Sequence, residues 1–304
     1  MASRDRKVPL WHPTLWPTWV GVWFFRLLCR SLPWNAQMSL GRAAGRFVFH
    51  VLRIRRQVVT VNLKLCFPEK SSAERRALAI AHYESMGMGI FETGAAWWTA
   101  DNRLPSFEIV GSEHLDEASA KGKGVLLLTA HFTTLEICGR FFSDTLTMGG
   151  LYREPDNRVI AREMYLGRVV KLRPAIPMDD LRGLLRALKE GHSIWYAPDQ
   201  GKKGKFAAIL PFFGVPALTN TATSRIAQMT GAAVVPYFGV RKPDGTYLLS
   251  ILPALDNFPS GDDKEDAIRT NKLMEEQILK APEQYFWIHR RFKRRGKDHP
   301  NVYR

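Results

Sequence analysis

The sequence predicts an α/β fold in which helices flank a mixed central sheet, with a membrane-anchoring helix at the N-terminus. Short apolar runs typical of buried strands alternate with longer segments of helical periodicity, which is the pattern of an α/β domain. No internal repeat or low-complexity linker divides these segments. The first 34 residues hold five of the nine tryptophans, and tryptophan is enriched where a helix meets a membrane interface. We therefore predict an anchor over residues 1–36 and one globular domain over residues 37–304.

Composition narrows the class of protein. Apolar residues make up 45% of the chain, which is enough for a substantial core and excludes a disordered protein. Cys29, Cys66 and Cys138 are scattered and form no C-x-x-C pair, which argues against a disulfide framework or a zinc site and fits a reducing compartment. The net charge of +15 favours an anionic partner, such as nucleic acid, an anionic membrane, a phosphorylated substrate or an acidic protein, unless it serves only solubility.

Residues 14–32 are the candidate anchor. The segment is apolar and aromatic, but Pro17, Arg26 and Arg30 interrupt it. A spanning helix needs about 20 mostly apolar residues, a length reached here only if the Arg26 side chain extends back to the interface. A short span, a helix lying in the interface and a buried helix all stay open, whereas a signal peptide is disfavoured because no A-x-A-like cleavage site follows. The longer, strongly basic part of the chain is expected on the cytoplasmic side.

The remaining elements follow in order along the chain. Residues 38–65 carry apolar and basic positions at helical spacing and predict two amphipathic helices, ended by Cys66-Phe67-Pro68. Ser71 and Glu74 have capping-box spacing and begin a helix that extends to about Trp98. Strands are then predicted at 107–111, 125–129, 193–197, 233–239 and 247–251, and helices at 114–121, 133–142, 181–189, 219–229 and 262–281.

His131 and Glu136 are the leading candidates for chemistry. Residues five apart point about 140° away from each other on a regular helix, so these side chains meet only if His131 lies in a turn and Glu136 in the first turn of the following helix. The apolar run 125–128 and the possible N-caps Thr133 and Thr134 support such a turn at the carboxyl end of a strand, where open α/β sheets bind ligands. The carboxylate would hold one ring nitrogen protonated and leave the other as a general base.

A second interpretation of the same segment stays open at this point. Thr133-Thr-Leu-Glu136 also matches a capping box, in which Glu136 would bond the backbone of Thr133 and take no part in chemistry. The spacing alone therefore fits a catalytic pair and a helix cap.

The segment Thr129-Ala-His-Phe-Thr-Thr-Leu-Glu136 resembles the H-x4-[DE] motif of the glycerolipid acyltransferase superfamily. More narrowly, the chain resembles the late acyltransferases of lipid A biosynthesis, the lauroyl- and myristoyltransferases, from about Trp11 to the C-terminus. The motif is weakly specific alone, but an ordered set of further blocks makes the resemblance specific. These blocks lie at 62–68 (NLKLCFP), 92–97 (ETGAAW), 152–157 (YREPDN), 197–201 (APDQG), 211–214 (PFFG) and 281–292 (APEQYFWIHRRF).

The resemblance implies a glycerol-3-phosphate acyltransferase-like fold, with residues 37–304 as the acyltransferase domain on the cytoplasmic side of the cell inner membrane. It implies that a fatty acyl chain passes from an acyl carrier protein thioester to a hydroxyacyl chain of Kdo2-lipid IVA, or of its acylated product, in lipid A and lipopolysaccharide biosynthesis. His131, held by Glu136, would be the general base, and no metal or cofactor is expected. Two alternatives stay open: an acyltransferase for another glycolipid or for glycerol phosphate, and a non-catalytic membrane-surface binding module.

Five further residues are candidates for binding the substrate or the oxyanion. The family resemblance implies a role for the arginine and the asparagine of the block at 152–157, and a fixed positive charge on the arginine would suit a phosphate or an oxyanion. Polar residues that directly follow the predicted strand 193–197 would face the same crevice as His131 if that strand is parallel to 125–129. For each of these residues a surface or turn role is the alternative. The candidates are Arg153, Asn157, Arg168, Asp199 and Gln200.

Two basic stretches complete the prediction. Lys202, Lys203 and Lys205 could meet a phosphate or carboxylate of the acceptor, or form a solvated run. Residues 289–297 place six basic residues around Phe292. No other element expected of a nucleic-acid reader accompanies them, so anionic membrane lipids or the acyl carrier protein are the expected partners rather than nucleic acid.

Overall fold

The computed structural model describes residues 8–201, 203–296 and 300–303. A group of helices precedes the sheet. In order these elements are a 3-10 turn (Pro13–Leu15), α1 (Trp16–Ser31), α2 (Trp34–Phe47), a π-helical turn (Val48–Leu52), α3 (Arg56–Cys66) and α4 (Ser72–Trp98). The two helices predicted over 38–65 are confirmed as α2 and α3 of this group.

The long helix α4 begins at the predicted capping box. Ser71 Oγ accepts a hydrogen bond from Glu74 N at 3.2 Å, and the Glu74 carboxylate accepts one from Ser71 N at 2.7 Å. With 27 residues the helix is about 40 Å long. Its N-terminal half packs on α3 through Tyr83, and its last turn brings Trp97 to the far side of the domain, next to Glu136.

The described residues form nine strands, and seven of them build the central sheet. The strands are β1 (Phe107–Val110), β2 (Val125–Leu128), β3 (Gly149–Tyr152), β4 (Ala175–Pro177), β5 (Ser193–Tyr196), β6 (Ala207–Phe212), β7 (Val215–Asn220), β8 (Ala233–Arg241) and β9 (Tyr247–Ile251). The order in the sheet is β1-β9-β8-β2-β5-β3-β4. Only β8 and β9 pair antiparallel in it, and every other neighbouring pair is parallel, so the mixed sheet is confirmed.

Four strands were absent from the sequence prediction, for identifiable reasons. Strand β3 contains Gly149 and Gly150, and β4 is three residues long and ends on a proline, so neither has the composition of a strand. Strands β6 and β7 form a separate hairpin around Phe213-Gly214, both with positive φ, as a two-residue hairpin turn requires. The helix predicted from residue 219 begins later because Thr219 and Asn220 belong to β7.

Strand β2 lies at the centre of the core. All four of its side chains are 0% exposed, as the continuous apolar run predicts. Val125 and Leu127 pack on one face with α6, and Leu126 and Leu128 pack on the other face with α8 and α9. The remaining helices are α5 (Ser112–Ser119), α6 (Leu135–Thr145), α7 (Arg158–Gly167), α8 (Leu181–Lys189), α9 (Ala222–Thr230) and α10 (Asp263–Lys280).

The N-terminal helix α1 has two different faces. Val22 and Cys29 are buried against α7 and α4, whereas a second face carries apolar side chains that are more than half exposed. Across residues 8–201, 203–296 and 300–303 we find no helix with the length and apolar character needed to cross a bilayer, so the spanning interpretation has no support. The domain boundary predicted at residue 36 falls inside α2. The exposed face consists of Trp16, Val20, Trp23, Phe24 and Leu27.

Two of the family blocks have a structural task. Asn62 is 1% exposed, and its amide donates to the carbonyl oxygens of Trp287 and His289 at 2.6 and 2.8 Å. Tyr303 donates its hydroxyl hydrogen to Asn62 Oδ1. The block at 62–68 therefore holds the C-terminal segment against α3, which places residues 284–286 beside the loop that follows β2.

Candidate active site

The loop between β2 and α6 carries His131 at the carboxyl end of a central strand. Its backbone is held on one side by the C-terminal segment: His131 O accepts from Phe286 N at 3.0 Å, and Thr133 N donates to Gln284 O at 2.8 Å. On the other side, the Thr133 hydroxyl lies 2.7 Å from the Ser85 hydroxyl of α4. The predicted turn is therefore confirmed, and hydrogen bonds hold its backbone and the Thr133 hydroxyl from two sides.

Asp199 is the carboxylate that contacts His131. It follows β5, which pairs parallel with β2, so both residues lie at the same edge of the sheet. Asp199 Oδ1 lies 2.5 Å from His131 Nδ1, and Oδ2 accepts from His131 N at 3.1 Å. The Asp199 side chain is 1% exposed and the imidazole is 30% exposed. A carboxylate at Nδ1 keeps the hydrogen on that nitrogen and leaves the lone pair of Nε2 as the basic position.

The protonation of this pair follows from its surroundings. Burial disfavours the imidazolium, but the charge of Asp199 and its hydrogen bond outweigh burial, so the pKa of His131 lies above its usual value. The nearby Arg168 charge partly opposes that rise. Burial likewise opposes the ionised form of Asp199, yet its contacts with His131 hold the pKa of this carboxyl below its usual value. Asp199 therefore stays ionised while the histidine gains and loses its proton.

Glu136 lies in the first turn of α6, as predicted, but it does not hold the histidine. Its Oε1 accepts from the Arg168 guanidinium at 2.8 Å, and its Oε2 accepts from Trp97 Nε1 at 2.9 Å. The expectation that Glu136 orients the ring of His131 is wrong in this structure, because Asp199 occupies that position. The side chains of Glu136 and Arg168 are 17% and 27% exposed, so the ion pair borders solvent.

The capping-box interpretation of Glu136 is also wrong. Thr134 occupies the N-cap position of α6 without a side-chain cap, and its hydroxyl donates to Gly239 O at 2.7 Å instead. The backbone of Thr133, which a cap would have used, pairs with Gln284. The Glu136 carboxylate thus does not cap the helix, and its two oxygens accept hydrogen bonds from Trp97 and Arg168.

Arg168 is placed by the end of α7. A Cβ atom on the preceding Gly167 would lie 2.4 Å from the Trp97 ring, so only glycine lets α7 approach the end of α4 closely enough for both side chains to meet Glu136. The Arg168 charge lies close enough to His131 to oppose the rise in the pKa of the imidazole. The structure therefore brings together four of the predicted site residues: His131, Asp199, Glu136 and Arg168.

The other predicted residues take different positions. Asn157 caps α7, accepting from Val159 N and Ile160 N, and donates to Thr18 Oγ1 at 3.2 Å. Its amide thus joins α7 to α1, which is a structural task. Arg153 is exposed in the irregular segment after β3, and Gln200 is half-buried beside Asp199. Lys203 and Lys205 are exposed, and Lys202 lies outside the described residues.

The C-terminal basic stretch is partly internal. Arg291 is 5% exposed and donates to Leu218 O and, at 3.0 Å, to Thr219 Oγ1, so it anchors the β6–β7 hairpin. Phe292 is 0% exposed. Arg290, Lys293 and Arg294 remain exposed, whereas Lys297 lies outside the described residues. Arg291 cannot therefore belong to the surface that was expected to meet an anionic partner.

Sequence reasoning missed Trp97 and assigned Asp199 to substrate rather than to His131. The sequence placed Asp199 near His131 only on the condition that the strand before Asp199 pairs parallel with β2, and the structure supplies that pairing. No local signal identifies Trp97 as a partner of Glu136, since the two residues are 39 positions apart and belong to different helices. In the sequence, Trp97 stands out only as the last residue of the family block at 92–97.

Comparison with known proteins finds similar sequences over nearly the whole chain. The model of the bacterial lipid A biosynthesis acyltransferases matches residues 4–294. The lipid A biosynthesis lauroyltransferase of Escherichia coli (strain K12) is 39% identical over 297 residues, which cover 97% of each chain. The lipid A biosynthesis palmitoleoyltransferase of the same strain is 35% identical over 295 residues, 96% of each chain. A solved 1-acyl-sn-glycerophosphate acyltransferase from Thermotoga maritima is 16% identical, covers 81% of this chain and 97% of its own, and gives a TM-score of 0.37.

Proposed function

The chain belongs to the bacterial lipid A biosynthesis acyltransferase family, and we propose that it moves a fatty acyl chain from an acyl carrier protein thioester to a hydroxyacyl chain of Kdo2-lipid IVA or of its acylated product. The observation that carries the proposal is the His131–Asp199 pair at the carboxyl end of β2, with the Glu136–Arg168 pair beside it. Such a site offers a base and a fixed positive charge, which are the two groups that acyl transfer to a hydroxyl requires.

In the proposed reaction His131 is the general base. Nε2 takes the proton of the acceptor hydroxyl while its oxygen attacks the thioester carbonyl, forming a C–O bond and a tetrahedral oxyanion. The C–S bond then breaks, and the proton passes from the imidazolium to the departing sulfur. Asp199 stabilises the imidazolium between these two proton transfers, because it is ionised, buried and 2.5 Å from Nδ1.

We assign the Glu136–Arg168 pair to charge stabilisation. Glu136 accepts from Arg168 and from Trp97, so it fixes the guanidinium beside the reacting centre rather than the imidazole. A positioned arginine favours an oxyanion or a phosphate of the acceptor lipid, and it needs no reorganisation when the charge develops. Glu136 is accordingly a positioning residue, and its loss would act through Arg168.

The exposed apolar face of α1 supports attachment to the membrane surface. Trp16, Val20, Trp23 and Leu27 follow helical spacing and are 59%, 63%, 62% and 60% exposed. A contiguous exposed apolar face of this kind is unusual on a soluble protein and is typical of a helix that lies in the interface. We propose that this face contacts the cytoplasmic leaflet of the inner membrane. Vesicle flotation would test it: Trp23→Asp should lower binding several-fold, and unchanged binding would contradict the proposal.

The reaction is tested with purified protein, Kdo2-lipid IVA and acyl-loaded carrier protein. The expected product is heavier by one acyl chain, and His131→Ala should abolish it. His192→Ala is the matched control, because His192 precedes β5 at the opposite edge of the sheet and its side chain is 42% exposed. Glycerol phosphate offered as the acceptor separates the rival acyltransferase activity. Acylation of glycerol phosphate alone, or no product with either acceptor, would refute the proposal.

A further inference from the structure

The hairpin β6–β7 lies outside the central sheet, yet it borders the segment that carries Asp199. Before Asp199 in the chain, the Tyr196 hydroxyl accepts a hydrogen bond from the Asn220 amide of β7 at 3.0 Å. After Asp199, Gly201 lies directly against Leu218 of β7, because a Cβ atom built on Gly201 would overlap the Leu218 carbonyl oxygen. Strand β7 therefore contacts the chain on both sides of Asp199.

The contact between Gly201 and Leu218 depends on the absence of a side chain at residue 201. No positive φ requires glycine there, so the reason for this residue is the close approach of two backbone segments. Leu218 cannot easily retreat, because β7 pairs with β6 along its length and Leu218 N donates to Arg294 O at 2.9 Å. A side chain at residue 201 would therefore displace the segment that carries Asp199.

Arg291 binds the same Leu218 carbonyl oxygen. Its guanidinium donates to Leu218 O and, at 3.0 Å, to the Thr219 hydroxyl, and both acceptors belong to β7. The guanidinium also lies over the Phe212 ring of β6, 4.7 Å from the ring centroid. Since Arg291 is only 5% exposed, these contacts are internal to the protein. One buried guanidinium therefore holds both strands of the hairpin.

The charge of Arg291 also acts on Asp199. Burial opposes the ionised form of Asp199, and the contacts with His131 outweigh burial. The Arg291 charge acts in the same direction as those contacts, so it helps to hold the pKa of this carboxyl below its usual value. A backbone contact through β7 and an electrostatic interaction thus connect Arg291 to the same carboxylate.

We propose that Arg291 and Gly201 are positioning residues for the reacting pair. Arg291 holds Leu218 in place, and Gly201 lets the chain after Asp199 lie against Leu218. This contact keeps Asp199 Oδ1 at 2.5 Å from His131 Nδ1, the distance at which the carboxylate holds the imidazole ring. The role rests on the proposed acyl transfer, and neither Arg291 nor Gly201 touches the reacting atoms in it. The hairpin β6–β7 thereby supports the reaction from outside the central sheet.

The first measurement is the pKa of the His131 imidazole, followed by NMR titration of protein labelled with nitrogen-15 in histidine. The His131 signal is assigned by its loss in His131→Ala. Burial lowers this pKa and the contact with Asp199 raises it, so displacing Asp199 in Gly201→Ala should lower the pKa of His131. Gly204→Ala is the matched control, since a Cβ atom there would meet no atom within 4 Å, and it should leave this pKa unchanged.

The other titratable and charged groups that face the pair are retained in Gly201→Ala, so a lowered pKa reports the Asp199 contact. These groups are Arg168, Tyr285, His289 and Arg291. Arg291→Lys keeps the positive charge but replaces the planar guanidinium that binds Leu218 and Thr219. It should therefore lower the pKa of His131 in the same direction.

The second measurement is acyl transfer by the same variants. Gly201→Ala should lower kcat by about 10–100-fold with little change in KM, because a misplacement of about 1 Å can cost about 10²-fold. Arg291→Lys should lower kcat by about tenfold for the same reason. In the Asp199→Asn background each change should cost less than about twofold, because the charge that it positions is already absent.

The two measurements separate the positioning role from the proposed function. An unchanged pKa of His131 in both Gly201→Ala and Arg291→Lys would overturn the positioning role, as would equal losses of kcat with and without the Asp199 carboxylate. Acyl transfer by the wild-type protein would leave the proposed function standing in either case. If the wild-type protein transfers no acyl chain, the proposed function fails, and the NMR titration still decides the positioning role. If Gly201→Ala does not fold, Arg291→Lys decides it.

Discussion

Two buried carboxylates in this protein, Asp199 and Glu92, have pKa values shifted in opposite directions. Asp199 pairs with His131, whose side chain is 30% exposed. The contacts with His131 outweigh burial and lower the pKa of Asp199. Glu92 on α4 pairs with Arg241 on β8 and accepts the hydroxyl hydrogen of Tyr247, but burial dominates and raises the pKa of Glu92. Both are close to fully buried, so burial alone does not distinguish a reactive carboxylate from a structural one.

The difference lies in what each partner faces. His131 lies at the carboxyl edge of the sheet with a partly exposed side chain. Arg241 is 8% exposed and is enclosed by Glu92, Ser85 and the Gln284 contact of its backbone. A proton can reach the first pair from a substrate, but nothing outside the protein can reach the second. We infer that the Glu92–Arg241 pair ties α4 to the sheet and that the His131–Asp199 pair performs chemistry.

The largest expected effect concerns Asp199. Replacement by Asn keeps the shape of the side chain but removes the charge that stabilises the imidazolium, so kcat should fall by about 10³–10⁴-fold, as in other carboxylate–histidine pairs. The free energy of unfolding should change by much less than the activation free energy of the reaction. Steady-state kinetics and denaturant unfolding on the same preparation measure both. A variant that retains more than a tenth of wild-type kcat would remove Asp199 from the mechanism.

Glu92→Gln should show the reverse pattern. It leaves the Arg241 guanidinium buried without its anionic partner, which costs about 3–5 kcal/mol of stability. Activity per folded molecule should remain within about a factor of two, since no step of the reaction uses this pair. Urea unfolding gives the first quantity, and kinetics normalised to the folded fraction give the second. Loss of kcat at unchanged stability would mean that Glu92 takes part in catalysis.

Trp97→Phe should have an intermediate effect on activity. It removes one hydrogen bond to the Glu136 carboxylate, and bonds to charged groups contribute about 1.5–3 kcal/mol, so transfer should fall by about 10–100-fold. Trp98→Phe is the matched control, because Trp98 Nε1 donates to Glu163 Oε2 at the same 2.9 Å but away from the reacting groups. Equal losses of activity in the two variants would show that the Trp97 contact is only structural.

The smallest effect is a displacement of the pH profile. His131 acts as a base only when neutral, and its pKa is raised above 6.5. The activity of the wild-type enzyme should therefore increase with pH through a midpoint above that value. In Asp199→Asn the raising contact is gone and burial remains, so the midpoint of the residual activity should move to lower pH. An unmoved midpoint would assign the titration to another group.

Much of this protein was determined by local sequence. The apolar run 125–128 required a strand buried on both faces, the Ser71–Glu74 spacing required a helix start, and the end of the run at Leu128 placed His131 in a turn. These features depend on neighbours within a few residues, and their physical causes, apolar burial and backbone capping, operate over that range. The ordered family blocks added the family, which comparison with known proteins confirms.

The partners of the reacting groups were decided by the tertiary structure alone. His131 meets Asp199 across 68 residues because β2 and β5 are parallel neighbours, and Glu136 meets Trp97 and Arg168 because α4, α6 and α7 converge. Five residues of sequence separate His131 from Glu136, yet the loop directs the two side chains to different partners. Strand order and helix convergence result from packing the whole core, and no local pattern in the chain encodes them. The H-x4-E motif thus located His131 and Glu136 at the candidate site, and only the fold determined which carboxylate holds the histidine.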